Sequence, residues 1–150
     1  MTALNLSKTV AIIGAGTMGA GIAQVAAAAG HPVLLYDVSD GAAHAAIVKI
    51  GKGLERLVER GKIAREEAEA LTRRIIPAND LEALSEAALV VEAIVENLEV
   101  KKDLFAKLEE IVAEDAILAT NTSSISVTSI ARDLRLPARV AGLHFFNPAP

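Results

Sequence analysis

The sequence predicts an α/β fold, a mainly parallel sheet with helices on both faces. Two observations carry this. Short apolar runs rich in β-branched residues alternate with segments whose apolar positions recur at helical spacing. The strand-like runs are continuously hydrophobic rather than alternating, as strands covered on both faces require. Twenty-nine of the 150 residues are alanine, which favours helices and close helix–sheet contacts. No repeat, low-complexity segment or internal linker breaks the pattern, so residues 1–150 read as one domain.

Lys8-Thr9-Val10-Ala11-Ile12-Ile13, ended by Gly14, is a buried strand. Thr17 to Ala29 is a small-residue helix with Gly30 just past its end. Val33 to Asp37 is a second buried strand. Ala42 to Arg60 places Ile47, Ile50, Leu54, Leu57 and Val58 on one helical face, although Gly51 and Gly53 weaken it. After a turn at Gly61, Ala64, Ala68, Leu71 and Ile75 mark another helix, and the two form a helical hairpin insertion. Arg74-Ile75-Ile76 is a short strand broken by Pro77. Ala88 to Ile94 is a clear strand, Leu98 to Ala113 an amphipathic helix through Leu104, Leu108, Ile111 and Val112, and Ala116 to Thr120 a strand. Ser126 to Leu134 is a weak helix. Arg139 to Phe146 reads as the last strand, and Asn147-Pro148-Ala149-Pro150 ends the chain without a closing helix.

Composition removes several functions. With no cysteine there is no disulfide framework, thiolate metal site or cysteine nucleophile. A net charge of −4 without a dominant basic patch argues against nucleic acid as the main partner. Mean hydropathy is high at +0.39, yet no apolar run reaches the roughly 18 residues of a membrane helix. The start, Met1 to Lys8, lacks a basic region followed by an apolar core, so the expectation is a cytoplasmic protein without a signal peptide.

Gly14-Ala15-Gly16-Thr17-Met18-Gly19 fits G-x-G-x-x-G between a predicted strand and a predicted helix. Gly14 permits the tight turn, Gly16 lets backbone approach a pyrophosphate, and Gly19 lets helix and strand pack closely. The helix N-terminus offers free N–H groups to the phosphates. Asp37 ends the second strand 18 residues past Gly19. A carboxylate there accepts both ribose hydroxyls and repels a 2′-phosphate, and Val38-Ser39-Asp40 supplies no cation. The fold is therefore read as Rossmann-type and doubly wound, and the cofactor as NAD rather than NADP. A glycine-rich turn without a ligand is the alternative for the motif. For Asp37 it is a helix cap, although Asp40 is better placed to cap.

Val90-Val91-Glu92-Ala93-Ile94-Val95-Glu96-Asn97, Asn121-Thr122-Ser123-Ser124 and Gly142-Leu143-His144-Phe145-Phe146-Asn147-Pro148 resemble the signatures of the 3-hydroxyacyl-CoA dehydrogenases. The match runs from the glycine turn to Pro150, and its last four residues look closer to the 3-hydroxyadipyl-CoA than to the 3-hydroxybutyryl-CoA branch. The resemblance implies oxidation of a (3S)-3-hydroxyacyl-CoA to the 3-ketoacyl-CoA with NAD as hydride acceptor, in fatty-acid or aromatic-acid catabolism. It makes His144 the catalytic base, a side-chain type that titrates near working pH. It makes Ser123 the hydroxyl that holds the substrate oxygen and borders the cofactor. Glu96 and Lys101 fall on the nicotinamide side of NAD, and Asn147 on the nicotinamide or its ribose. Arg60 matches a basic CoA contact, beside Lys49, Lys52 and Arg56, whereas Gly53 stands where relatives often carry serine.

Plainer readings stand beside these. His144 could be a packed core histidine, Asn121 to Ser124 a capped strand-to-helix turn, Glu96 and Lys101 a solvated helix start with Lys101 merely salt-bridged, and the basic set an ordinary solvated face. Glu92, inside its strand, is read as structural. His31 lies in a turn and His44 on an exposed helix.

The family's histidine is oriented by a glutamate about a dozen residues further on, which would lie past Pro150. So would a helical domain that closes over substrate and forms a homodimer. The expectation is thus a cofactor domain that binds NAD and turns over slowly or not at all. A stand-alone NAD-binding module without chemistry is the competing class, but it has no use for Ser123, His144 and Asn147 together. A dehydrogenase of the 6-phosphogluconate or 3-hydroxyisobutyrate type would need a catalytic lysine on a later helix instead.

Overall fold

A computed structural model describes residues 4–150; Met1, Thr2 and Ala3, on which the leader reading partly rests, lie outside the described residues. Six strands form one sheet in the order β3-β2-β1-β4-β5-β6, and every pairing is parallel. The strands are β1 (Thr9–Ile13), β2 (Val33–Tyr36), β3 (Ile75–Pro77), β4 (Ala87–Glu92), β5 (Ile117–Thr120) and β6 (Val140–Gly142). The helices are α1 (Thr17–Ala28), α2 (Ala42–Glu59), α3 (Arg65–Arg74), α4 (Leu98–Ile111) and α5 (Val127–Ala131). This is the predicted Rossmann-type fold, with the α2–α3 hairpin inserted before β3.

The period of two along each strand divides the core. Val10 and Ile12 of β1 pack with Ile22, Leu35, Ile50 and Leu54 under α1, α2 and α3. Ala11 and Ile13 point the other way, to Val90, Phe105, Leu108 and Ile130 under α4 and α5. Both faces are therefore dry, which is why the strands show no polar alternation. Among the described residues no helix is long and apolar enough to cross a membrane.

Several boundaries differ from expectation, each for a local reason. β4 ends at Glu92 rather than Ile94, because the Ile94 N–H donates to the carboxylate of Glu92 (2.9 Å). The last strand stops at Gly142 rather than Phe146. Leu143 still donates to the Thr120 carbonyl (2.9 Å), but the Phe145 N–H turns to the side chain of Asn121 (2.7 Å). His144 thus lies beyond the sheet rather than at the end of a strand. Pro77 belongs to β3 instead of breaking it, since β3 is an edge strand and its free side needs no donor. The hairpin helices span 42–59 and 65–74, with Arg60 as the cap of α2; α4 stops at Ile111 and α5 covers only 127–131. Asp40 does not cap α2: the cap is Gly41, which is left-handed (φ 74°) and offers no side chain. A 3-10 turn at Glu82–Leu84, unforeseen in the sequence, is started by Asp80 accepting the Ala83 N–H (2.8 Å).

Candidate functional site

The sheet order reverses between β1 and β4, and the carboxyl ends of those strands open into a crevice, where open α/β sheets bind ligands. Its larger part, about 580 Å³, is lined by Gly14, Gly16 and Asp37 from the first two strands, with Ile94, Val100 and Leu104 opposite.

The three glycines of the turn have separate causes. Gly14 has φ +103°, and a Cβ there would lie 2.4 Å from the Ala93 carbonyl oxygen on β4's extension. At Gly19 a Cβ would lie 1.7 Å from the Gly14 carbonyl oxygen, so helix and strand touch through it. A Cβ on Gly16 would meet nothing within 4 Å. Gly16 is also the cap of α1, whose first turn has no side-chain cap and no acidic residue. The chain's own packing does not use the bareness of Gly16; a pyrophosphate seated on the helix N-terminus, against Ala15, Thr17 and Met18, would. The residues present fit a dinucleotide on this ground.

Asp37 closes the other end. Its Oδ2 accepts the Ala15 N–H (2.7 Å) and its Oδ1 the Ser39 N–H (2.8 Å), so the glycine turn itself orients the carboxylate. It does not cap α2. The groove on its far side, between Val38–His44 and Pro77–Asn79, contains no lysine or arginine.

A second cavity of about 320 Å³ adjoins the first through Ala93 and Ile94, which line both. It gathers Met18, Glu96, Lys101, Ser123, His144 and Asn147. Its floor is ionic. Glu92 is fully buried and Lys101 is 1% exposed. Lys101 Nζ donates to both oxygens of Glu92 (2.7 Å each) and lies 3.1 Å from Glu96 Oε1. Glu92 also accepts the hydroxyl of Thr120, its register partner on β5. Glu96 Oε2 accepts from Thr122 (2.7 Å) and Ser124 (3.1 Å). Burial pushes the Glu96 carboxyl up, but the hydrogen bonds from Thr122, Lys101 and Ser124 outweigh it and hold the group ionised below its ordinary value.

His144 is exposed at the cavity mouth, its ring tilted against Phe146 at 5.2 Å, so it is no core histidine. Ser123 is exposed in the loop after β5, whose conformation is fixed by Thr122 Oγ1 accepting the Ile125 N–H (3.0 Å). Asn121 ties this loop to the His144 segment through the Phe145 N–H. Local capping and assembly of the cavity thus coexist. Lys101 is no solvated helix residue, and Glu92, read from the sequence as structural, is buried with its carboxylate bonded to Lys101, Thr120 and the Ile94 N–H. Arg60, Lys49, Lys52 and Arg56 are exposed on α2 and line neither cavity.

Thr120 lies outside every motif singled out in the sequence, and Asn121 and Thr122 stand there only within the Asn121-Thr122-Ser123-Ser124 run, without the roles that their bonds to Phe145 and Glu96 give them. The available signal was Glu92 itself, an acid ending an otherwise apolar strand. A buried charge must find a partner, and Lys101 follows in the next helix.

Residues 9–150 match the family model described as "3-hydroxyacyl-CoA dehydrogenase, NAD binding domain". The chain is 57% identical over 143 residues to the 3-hydroxyadipyl-CoA dehydrogenase of Escherichia coli K12, covering 95% of this chain and 30% of that protein. It is 42% identical over 140 residues to the 3-hydroxybutyryl-CoA dehydrogenase of Clostridioides difficile, covering 93% and 50%. A crystal structure of 3-hydroxybutyryl-CoA dehydrogenase from Escherichia coli K12 superposes with a TM-score of 0.94 at 56% identity, over 98% of this chain and 31% of that one. The chain therefore spans from 30% to 50% of the length of these relatives.

Proposed function

The chain belongs to the family of 3-hydroxyacyl-CoA dehydrogenase NAD-binding domains, and on that premise we propose that it is the cofactor-binding part of an enzyme oxidising (3S)-3-hydroxyacyl-CoA to 3-ketoacyl-CoA. The observation that carries this reading is the adjacency of the two cavities. One holds the glycine turn and Asp37; the other holds Ser123, His144, Asn147 and Glu96. A dinucleotide lying across the crevice would join them, and a binding module without chemistry has no use for the second.

In this reading the His144 imidazole takes the proton of the substrate hydroxyl, and the Ser123 hydroxyl donates to the substrate oxygen as its bond order to carbon rises. Bound NAD supplies the hydride acceptor. Glu96, Asn147 and the floor beneath them orient the reacting end of the cofactor, and Asp37 selects NAD by repelling a 2′-phosphate. Arg60 remains the residue proposed to meet CoA, from outside the crevice. A helical substrate and dimerisation domain beyond these 150 residues belongs to the same proposal. Among the described residues no carboxylate fixes the tautomer of His144, so the 150-residue chain should turn over slowly.

The test is calorimetric titration with NADH and NADPH, followed by the absorbance assay of NADH oxidation by acetoacetyl-CoA. NADH should bind at least about tenfold more tightly than NADPH, because the 2′-phosphate would face the Asp37 carboxylate. Any residual turnover should vanish in Ser123→Ala. Tighter binding of NADPH, or turnover indifferent to Ser123, would overturn the reading.

A further inference from the structure

The ionic floor of the second cavity is more elaborate than a fold needs. Taking two charged groups, Glu92 and Lys101, out of water costs heavily, and well-packed apolar residues would stabilise the same place at least as well. An ammonium has three protons to donate. Lys101 donates to Glu92 Oε1 and Oε2 and lies 3.1 Å from Glu96 Oε1, and its side chain is 1% exposed. A ligand in the cavity can address Lys101 only by displacing a carboxylate. Glu96, by contrast, has a side chain 42% exposed and faces the cavity. Counted together, two carboxylates and one ammonium leave one net negative charge, and the only exposed member is Glu96.

We infer that Glu92 is a positioning residue of the dinucleotide site: by absorbing the charge of Lys101 below the floor, it leaves Glu96 as the net negative group facing the nicotinamide ring. This rests on the NAD reading given above. The oxidised ring is a cation and the reduced ring is neutral, so the floor favours the oxidised cofactor. Lys101 then acts through Glu96 rather than on the ring. Thr120 and the Ile94 N–H complete the cage by occupying the remaining lone pairs of Glu92.

Glu92→Gln tests this. The amide can keep the Ile94 N–H and one Lys101 bond on its oxygen and donate to a turned Thr120 hydroxyl; its nitrogen gives up the second Lys101 bond, and the floor becomes neutral. Titrations of the 150-residue chain with NAD+, NADH and ADP-ribose, which lacks the ring, separate the effects. The ratio of Kd for NAD+ to Kd for NADH should rise about threefold to tenfold, with the ADP-ribose Kd unchanged. An unchanged ratio, or equal weakening of all three ligands, overturns the inference, since a purely structural glutamate would act on all alike. Should Glu92→Gln fail to fold, the double variant Glu92→Gln/Lys101→Met keeps one negative charge on Glu96. Its ratio should stay within about twofold of the unmodified chain, and a larger rise overturns the inference as well. If the unmodified chain binds none of the three ligands, the NAD reading itself fails, and this inference with it.

Discussion

Adding one methyl group to Gly16 or to Gly19 should have opposite consequences. At Gly19 the new carbon would overlap the Gly14 carbonyl, a backbone atom that cannot swing aside. Gly19→Ala should therefore cost about 3 kcal/mol or more and lower Tm by roughly 6 °C or more. At Gly16 the same carbon meets open space. Gly16→Ala should leave Tm within a degree or two, since a surface change without new contacts stays within about 0.5 kcal/mol, yet weaken NADH binding at least about tenfold by obstructing the pyrophosphate. Thermal melts and calorimetric titrations of both variants check the pair; loss of stability in Gly16→Ala would show that its bareness serves packing. The G-x-G-x-x-G spacing was legible in the sequence, and so were the tight turn at Gly14 and the close helix–strand contact at Gly19. Glu92 was legible only as a structural residue. Its partners stand 9 and 28 positions away, in a helix and in a neighbouring strand, and only the β4–β5 register sets Thr120 opposite it.

Among the elements, α4 matters most to the site because its first turn delivers Lys101 to the cavity floor. Its start is fixed by Asn97, whose Oδ1 accepts the Val100 N–H (3.1 Å). Asn97→Ala should cost about 1 kcal/mol, a fall in Tm of roughly 2–4 °C. It should also loosen Lys101 and Glu96, so NADH affinity should drop further than that of ADP-ribose. Equal losses for the two ligands would confine the cap to stability. Every predicted strand and major helix exists, because apolar runs and helical spacing depend only on neighbouring residues. What the sequence hid were element ends governed by distant groups. The Asn121 side chain takes the Phe145 N–H out of the ladder and so ends the pairing that the apolar run toward Phe146 suggested. Arg60, matched to a CoA contact by position alone, is held on an exposed helix end away from the crevice.

At the scale of the whole molecule, α4 connects two carboxylates with different duties. Glu96 lies just before its start, at the crevice. Glu109 lies near its other end, buried at 6% exposure. Glu109 accepts the N–H groups of Arg135 and Leu136 (2.8 Å each), and Arg139 caps the same helix end through the Ala113 carbonyl (2.6 Å). These bonds fasten the segment leading into β6, and β6 carries the chain to His144. Burial pushes the Glu109 carboxyl up, but the two N–H groups and the nearby arginines prevail and hold it below the ordinary 4.5. A carboxyl whose folded value is depressed adds stability that is fully present above 4.5 and is lost as pH falls through the lower, folded value. Glu96 is depressed in the same sense. Glu109→Gln keeps one of the two N–H bonds and has no proton to gain. Its Tm should therefore lie below that of the unmodified chain at pH 7, and the two curves should converge as pH falls below 4.5. Acid sensitivity that persists in the variant belongs to Glu96 and the remaining carboxyls. Melts of both proteins from pH 7 to pH 3 decide the matter: a constant gap across that range would mean that Glu109 holds the β6 segment by shape and hydrogen bonding alone, with no contribution from its charge.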